Sequence, residues 1–369
     1  LAELHGMMPD LAPGGLAVPF SAYDTHLASI TVTAPSCVAW RSRCEKALPT
    51  PTCGAAAEIC AGIVRSASPE VEASTLSSSV SPPLSPQTPT LPFLTYIDRL
   101  LEDPTFATDS AVRAAALHGV RTAIERAPVD EAFARSLVAA AKAWFGDHPF
   151  RLRSSTNAED LQGFSGAGLY DSVTATVEPG RDFAPERIRK IWASVWSFAA
   201  FEERSWWGIP HRSVHMGVLI SRAYPDEEAN GVLVTANLTE AGGTGYTIEV
   251  QPGELSVTNA TDGAFPEVLV VRRGWFGGWR TERLQDSSAS IDRPVLAAAE
   301  VRALADAARR AQRHFARRFG SEADAAAVQI EFKVDGRAPG IVLKQVRPWA
   351  TAPTGGPDDD DESWHEAPR

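Results

Sequence analysis

Hydrophobic periodicity along this chain alternates between helical and strand spacing without settling into a strand–helix–strand repeat, and that order most constrains its fold. After Leu94, Asp130 reads as an N-cap. Phe133, Leu137, Ala141 and Trp144 then recur at helical spacing up to Gly146, a residue suited to end a helix. Strands are predicted at Phe150–Arg153 and Leu169–Thr176. One long helix is predicted from Ala184 to Trp207, with Ile188, Ile191, Trp192, Val195 and Phe198 as core. A run of strands follows at Met216–Ser221, Gly231–Thr235, Tyr246–Val250 and Glu267–Arg272. A helix carrying Val301, Leu304, Ala308, Ala311 and Phe315 then ends near Gly320. Strands at Ala326–Val334 and Gly340–Val346 close the pattern. This mixture predicts an α+β fold, with no internal repeat and no P-loop signature.

The 369 residues divide into five expected segments. Residues 1–28 read as the start of an N-terminal lobe: a helix end at Leu1–Met8, a turn at Pro13-Gly14-Gly15, a strand at Leu16–Val18 and a helix from Ser21. Residues 29–92 lose periodicity and are rich in Cys, Ser and Pro, so an insertion or linker without order, dispensable to the fold, is expected. Cys37, Cys44, Cys53 and Cys60 lack the close pairs that present two thiolates to zinc, and neither a zinc nor a disulfide staple is expected. Residues 93–215 form the rest of the N-terminal lobe and 216–350 a sheet-rich lobe. Residues 351–369 are an acidic tail, with Asp358 to Glu362 expected to be solvated and disordered.

A formal charge of -11 argues against a nucleic-acid partner. No stretch approaches the roughly 18 apolar residues of a membrane helix, so no membrane partner is expected. No secretory leader precedes Leu1, and the cytoplasm is the expected location.

Two segments carry the chemistry. In Arg151–Ser172 a strand ends in Arg153-Ser154-Ser155, and a polar loop follows with Gly163, Gly166 and Gly168. Glycines let backbone N–H groups turn toward phosphate oxygens, and Arg153 offers a permanently charged donor fork. Glu159 and Asp160 fit either a loop anchor or the neighbourhood of a metal. Near the C-terminus stand Gln329-Ile330-Glu331 and Gln345-Val346-Arg347-Pro348. Alternation puts Gln329 and Glu331 on one face; if Gly336–Pro339 turn the chain back, Gln345 and Arg347 share a face too. Oxygen ligands beside an arginine suit a magnesium–triphosphate. Taken singly, the two segments also fit a surface loop and a cross-hairpin salt bridge. His211 and His215, four apart, superficially suggest a metal pair, but nothing nearby completes a ligand set. His314 is expected to face solvent.

Together, R-S-S-T-N-A-E-D, the Gly231–Asn237 strand end and the Ile330-Glu331 … Gln345-Val346-Arg347-Pro348 ending resemble the nucleotide-binding domain of the phosphoenolpyruvate synthase, pyruvate phosphate dikinase and α-glucan water dikinase family, in the same order. The wording of the first motif looks closest to α-glucan water dikinase and related bacterial proteins. The resemblance covers residues 94–349 and, more faintly, 1–28. It implies an ATP-grasp-like fold whose two lobes clamp Mg-ATP. It assigns Arg153 to phosphates, Glu331 and Gln345 to Mg2+ and nucleotide, and Arg347 to the transferring phosphoryl group. The implied acceptor is a histidine on a separate carrier domain or protein, with pyruvate/PEP or a glucan as the ultimate acceptor. None of the eight histidines resembles that carrier, so a module incomplete by itself is expected.

This chain departs from the pattern at Gln329, where the family usually has Asp, a change that weakens the hold on magnesium. The family's phosphate-contacting lysine is expected to precede Leu1. A non-catalytic, regulatory or vestigial nucleotide-binding module is therefore the alternative reading. An ATP-grasp ligase is disfavoured by R-S-S-T-N-A-E-D.

Overall fold

The computed structural model describes residues 2–66, 89–161, 164–166, 168–224, 227–240, 243–255, 257, 263–291, 293–318, 327–336 and 340–349. In chain order the elements begin with α1 (Ala2–Met7), β1 (Gly15–Val18), α2 (Phe20–Ser29), β2 (Thr31–Thr33), α3 (Ala34–Cys44) and α4 (Thr50–Ser66). β3 (Thr90–Pro92) leads into α5 (Phe93–Leu101), α6 (Pro104–Thr108), α7 (Ser110–Arg126) and α8 (Glu131–Phe145). Next come β4 (Phe150–Thr156), β5 (Asp160–Leu161), β6 (Phe164–Ser165), β7 (Ser172–Ala175), α9 (Ala184–Ser194), α10 (Phe198–Trp206) and β8 (Met216–Arg222). The rest is β9 (Glu227–Val234), β10 (Tyr246–Pro252), β11 (Glu267–Arg273), β12 (Trp279–Gln285), α11 (Ala298–Arg318), β13 (Val328–Asp335) and β14 (Ile341–Pro348). Helices stand beside sheets whose named strands all pair antiparallel, an α+β arrangement.

The chain forms two compact units, residues 15–223 and residues 1–14 with 224–369. The division differs from the sequence reading at both places. β8 completes the first unit rather than opening the second, because it hydrogen-bonds between β1 and β4. α1 and the turn after it belong with the C-terminal sheet, contributing Leu4 and Met8 to its core, and the N–H of Leu343 donates to the carbonyl of Leu11 at 2.7 Å.

The unit of residues 15–223 holds a four-stranded sheet, β1-β8-β4-β7, and most of the helices. Phe93, Tyr96, Ile97 and Leu100 recur at helical spacing in α5 and are all buried. Asp130 caps α8 as expected, accepting from the Phe133 N–H at 2.8 Å, and the helix stops at Gly146. The single helix expected over 184–207 is instead two. Ser197 takes an extended conformation and its hydroxyl accepts from the Ala200 N–H, starting α10 afresh. Trp192 lies in the core, whereas Phe198 is substantially exposed.

The expectation of disorder over 29–92 is overturned for the residues described there. β2 pairs with β3, Thr33 and Ser36 form a capping box at the start of α3, and α3 and α4 pack against α7. Two disulfides, Cys37–Cys60 and Cys44–Cys53, tie α3 to α4, against the expectation of no staple. Widely spaced cysteines give no local signal. They meet only because the α3–α4 turn brings positions 23 and 9 residues apart to Cα separations of 5.7 Å. The cysteines are buried in the unit's core with Ile63 and Val64, which a linker would not provide. Residues 67–88 and the acidic tail 351–369 lie outside the described residues.

The second unit is a six-stranded antiparallel sheet, β12-β11-β10-β9-β13-β14. One face packs on α11 through Val301, Leu304, Ala308, Ala311 and Phe315, the residues picked out by helical spacing. β12 was not expected. It is a solvated edge strand with only Trp279 partly covered, so it shows no inward apolar alternation. Gly231 is demanded by close approach: a Cβ there would stand 2.5 Å from the Phe332 ring and from the Glu249 carbonyl oxygen.

Candidate functional site

The first predicted cluster lies in the unit of residues 15–223. β4 sits between β7 and β8, pairing Arg153 with Ser172 and with Leu219. Phe150 and Leu152 point into the core, so Arg151 and Arg153 take the other face. The strand runs on to Thr156, so Arg153 sits within it rather than at its end.

The loop that follows is pinned by the Asn157 side chain and by its own backbone. Asn157 donates to the Ser213 carbonyl and accepts from the His215 N–H, both at 2.8 Å. The Gly166 N–H donates to the Glu159 carbonyl at 2.6 Å, and the Leu169 N–H to the Gly166 carbonyl at 3.1 Å. Gly168 turns at φ +81°, in the left-handed region where a side chain is strained. Gly163 and the Asp160 side chain lie outside the described residues.

Behind this loop lies a group that sequence reasoning missed. Arg204 is fully buried, and its guanidinium donates to the Val195 carbonyl at 2.7 Å, to His211 Nδ1 at 3.3 Å and to the Tyr170 hydroxyl at 3.5 Å. All three acceptors are neutral, and burial lowers the arginine's pKa from its ordinary value. Burial first, and the Arg204 charge second, push His211 down to about 4. His211 Nε2 lies 3.2 Å from the Ser205 hydroxyl, so both ring nitrogens are engaged. His215 bonds instead to Asp24 through Nδ1 at 2.7 Å. The two histidines therefore serve separate networks, and the superficial metal pair dissolves. Inside E-E-R-S, Arg204 looks like an ordinary solvated helix residue. Only the turn at Ser197 carries it inward.

The second cluster lies wholly in the other unit, on β13 and β14. Val328, Ile330, Phe332 and Val334 enter the core, which leaves Gln329 and Glu331 on the opposite face as alternation requires. Register then sets Glu331 opposite Gln345 and Gln329 opposite Arg347. Gln329 Oε1 accepts from Arg347 Nε at 3.2 Å. The register shifts between Glu331 and Phe332, stepping over Lys344, and Lys344 Nζ stands 3.6 Å from Glu331 Oε2. The same row of the sheet continues through Val232 to Glu249.

The hairpin thus gathers a carboxylate, two side-chain amides, a guanidinium and an ammonium on one surface. A carboxylate oxygen opposite an amide oxygen is a hard-donor pair suited to magnesium. Among the described residues no group of three or more His, Cys, Asp or Glu is arranged to hold a metal. A divalent ion there would need further oxygens from its ligand. Elsewhere on the polar faces, His314 pairs with Glu3 at 2.8 Å and is partly solvated, close to its expected exposure.

Residues 95–275 match the family described as pyruvate phosphate dikinase, AMP/ATP-binding domain. The chain is 34% identical over 127 residues to a rifampicin phosphotransferase of a Streptomyces species, covering 34% of this chain and 14% of that protein. It is 37% identical over 95 residues to the rifampicin phosphotransferase of Bacillus cereus, covering 25% of this chain and 10% of that one. Similarity to a probable phosphoenolpyruvate synthase of Pyrococcus horikoshii reaches 33% over 86 residues, covering 23% of this chain and 10% of the relative. The aligned stretches thus span a small part of each relative's length. The Arg151–Ser172 segment falls inside the family match, and the β13–β14 hairpin falls beyond it.

Proposed function

We propose that this chain, whose residues 95–275 match the pyruvate phosphate dikinase AMP/ATP-binding domain, acts as a module of the phosphoenolpyruvate synthase and pyruvate phosphate dikinase family, drawing a phosphoryl group from Mg-ATP and passing it to a histidine on a separate carrier domain or protein. The observation that carries the reading furthest is the β13–β14 register, which pairs Glu331 with Gln345 and Gln329 with Arg347 on one polar face. In this proposal Arg153 and the loop bearing Gly163, Gly166 and Gly168 meet phosphate oxygens, the Gly166 N–H excepted because it is held by the Glu159 carbonyl.

Glu331 and Gln345 would hold the magnesium ion, which when bound neutralises phosphate charge. The Arg347 guanidinium binds and orients the transferring group and stabilises the charge that develops on it. The acceptor beyond the carrier is pyruvate or a glucan in this proposal. The relatives include a rifampicin phosphotransferase as well as a probable phosphoenolpyruvate synthase, so the ATP-binding domain alone does not dictate the final acceptor.

The test is transfer of label from β- and γ-labelled ATP to an added phosphohistidine domain. Dikinase chemistry delivers the β-phosphate to the carrier and releases the γ-phosphate separately. Label arriving only from the γ position would mean ordinary kinase chemistry. A second reading, a nucleotide-binding module without catalysis, is favoured by the neutral amide of Gln329 beside Glu331. ATP binding with no label on the carrier would select it.

A further inference from the structure

We propose that Lys344 is a phosphate-contacting residue of this nucleotide site, turned onto its polar face by the β13–β14 bulge; the inference rests on the nucleotide reading and adds a ligand to it. The parity of β14 carries the argument. Leu343 lies in the core opposite Phe332, and Val346 packs against the same core opposite Ile330. Core positions three apart break the two-residue period of a strand. The register absorbs the mismatch at one place, stepping from Glu331 opposite Gln345 to Phe332 opposite Leu343. Lys344 is the extra residue, so it and Gln345 fall on the same side. Bulges re-aim side chains in this way and are enriched beside active sites.

The contact made there agrees with that placement. Lys344 Nζ lies 3.6 Å from Glu331 Oε2, with the lysine side chain only 19% exposed. Lys333, the hairpin's other lysine, is engaged differently, in an ion pair with the buried carboxylate of Glu227. Lys344 instead shares the one carboxylate that the nucleotide reading gives to magnesium. A divalent ion and an ammonium sharing the one Glu331 carboxylate would leave excess positive charge there, which a further anion offsets. Polyphosphate oxygens provide that anion. Lys344 and Arg347 bring two cations to the polar face that carries Glu331, an arrangement suited to a polyanion. Lysine serves such sites as a compact point charge with three donors.

Calorimetric titration of the full chain with Mg-ATP and with adenosine tests the assignment. Lys344→Gln should weaken ATP binding about tenfold or more, leave adenosine affinity unchanged, and be largely rescued by Lys344→Arg. ATP should also shield Lys344 of the unaltered protein from acylation by an amine-reactive ester, read by mass spectrometry, while adenosine should not. That second measurement stands even if the glutamine variant does not fold. Unchanged ATP affinity in Lys344→Gln, or no shielding by bound ATP, overturns the role of Lys344 and leaves the nucleotide reading intact. Failure of the unaltered chain to bind ATP overturns both.

Discussion

Gln329 holds Arg347 by an amide rather than a carboxylate, its Oε1 accepting from Arg347 Nε at 3.2 Å across the β13–β14 pair. A neutral partner orients the guanidinium without cancelling its charge, which leaves that charge for an incoming phosphate. It also removes an anionic oxygen from beside Glu331. Gln329→Asp should therefore lower the Mg2+ concentration needed for half-maximal ATP binding, by about tenfold if the new carboxylate reaches the ion. An unchanged magnesium requirement would mean that the aspartate spends its charge on Arg347 instead.

Arg347→Ala separates transfer from binding. Its charge matters most as the phosphoryl group moves, so carrier labelling should fall roughly a hundredfold or more. Nucleotide affinity should fall by less, because ground-state contacts remain with the rest of the site. Calorimetry beside single-turnover labelling measures both. Equal losses would make Arg347 a binding residue only.

The α3–α4 staple predicts a redox-dependent stability. Each disulfide closes a short loop, 23 and 9 residues in sequence separation, and the longer constrains the unfolded chain by about 3 kcal/mol on the loop-entropy account. Reductant should lower the thermal midpoint of the unit of residues 15–223. Protein denatured without reductant should show no reactive thiol. Because cytosolic thiol pools keep such pairs reduced, thiol trapping at lysis also tests the expected cytoplasmic location: oxidised pairs throughout would speak for an oxidising compartment.

Acid should destabilise the same unit through His211. Its folded pKa of about 4 lies below the ordinary 6.5, so the unfolded state binds the extra proton between those values. The His211 contribution is fully present above about 6.5 and is lost as pH falls toward about 4. His26 and His118, also lowered chiefly by burial, add in the same direction. His211→Gln keeps an acceptor for Arg204 and should flatten the dependence of unfolding temperature on pH in that window. An unaltered slope would assign the acid sensitivity elsewhere.

The sequence by itself determined those elements whose evidence is local. The caps at Asp130 and Gly146, the apolar spacing of α11 and the alternation on β13 each depend on residues within a few positions of one another, so their placement was legible before any contact was known. The same alternation put Gln329 with Glu331, and the hairpin turn put Gln345 with Arg347. Tertiary structure alone decided the pairing of the four cysteines, the burial of Arg204 behind the glycine-bearing loop, and the assignment of α1 and β8 to their units. It also decided the direction of Lys344, since a bulge is a property of two strands in register and leaves no mark on either one alone. Local pattern records what each residue prefers. Which distant residues satisfy that preference is settled only when the chain closes on itself.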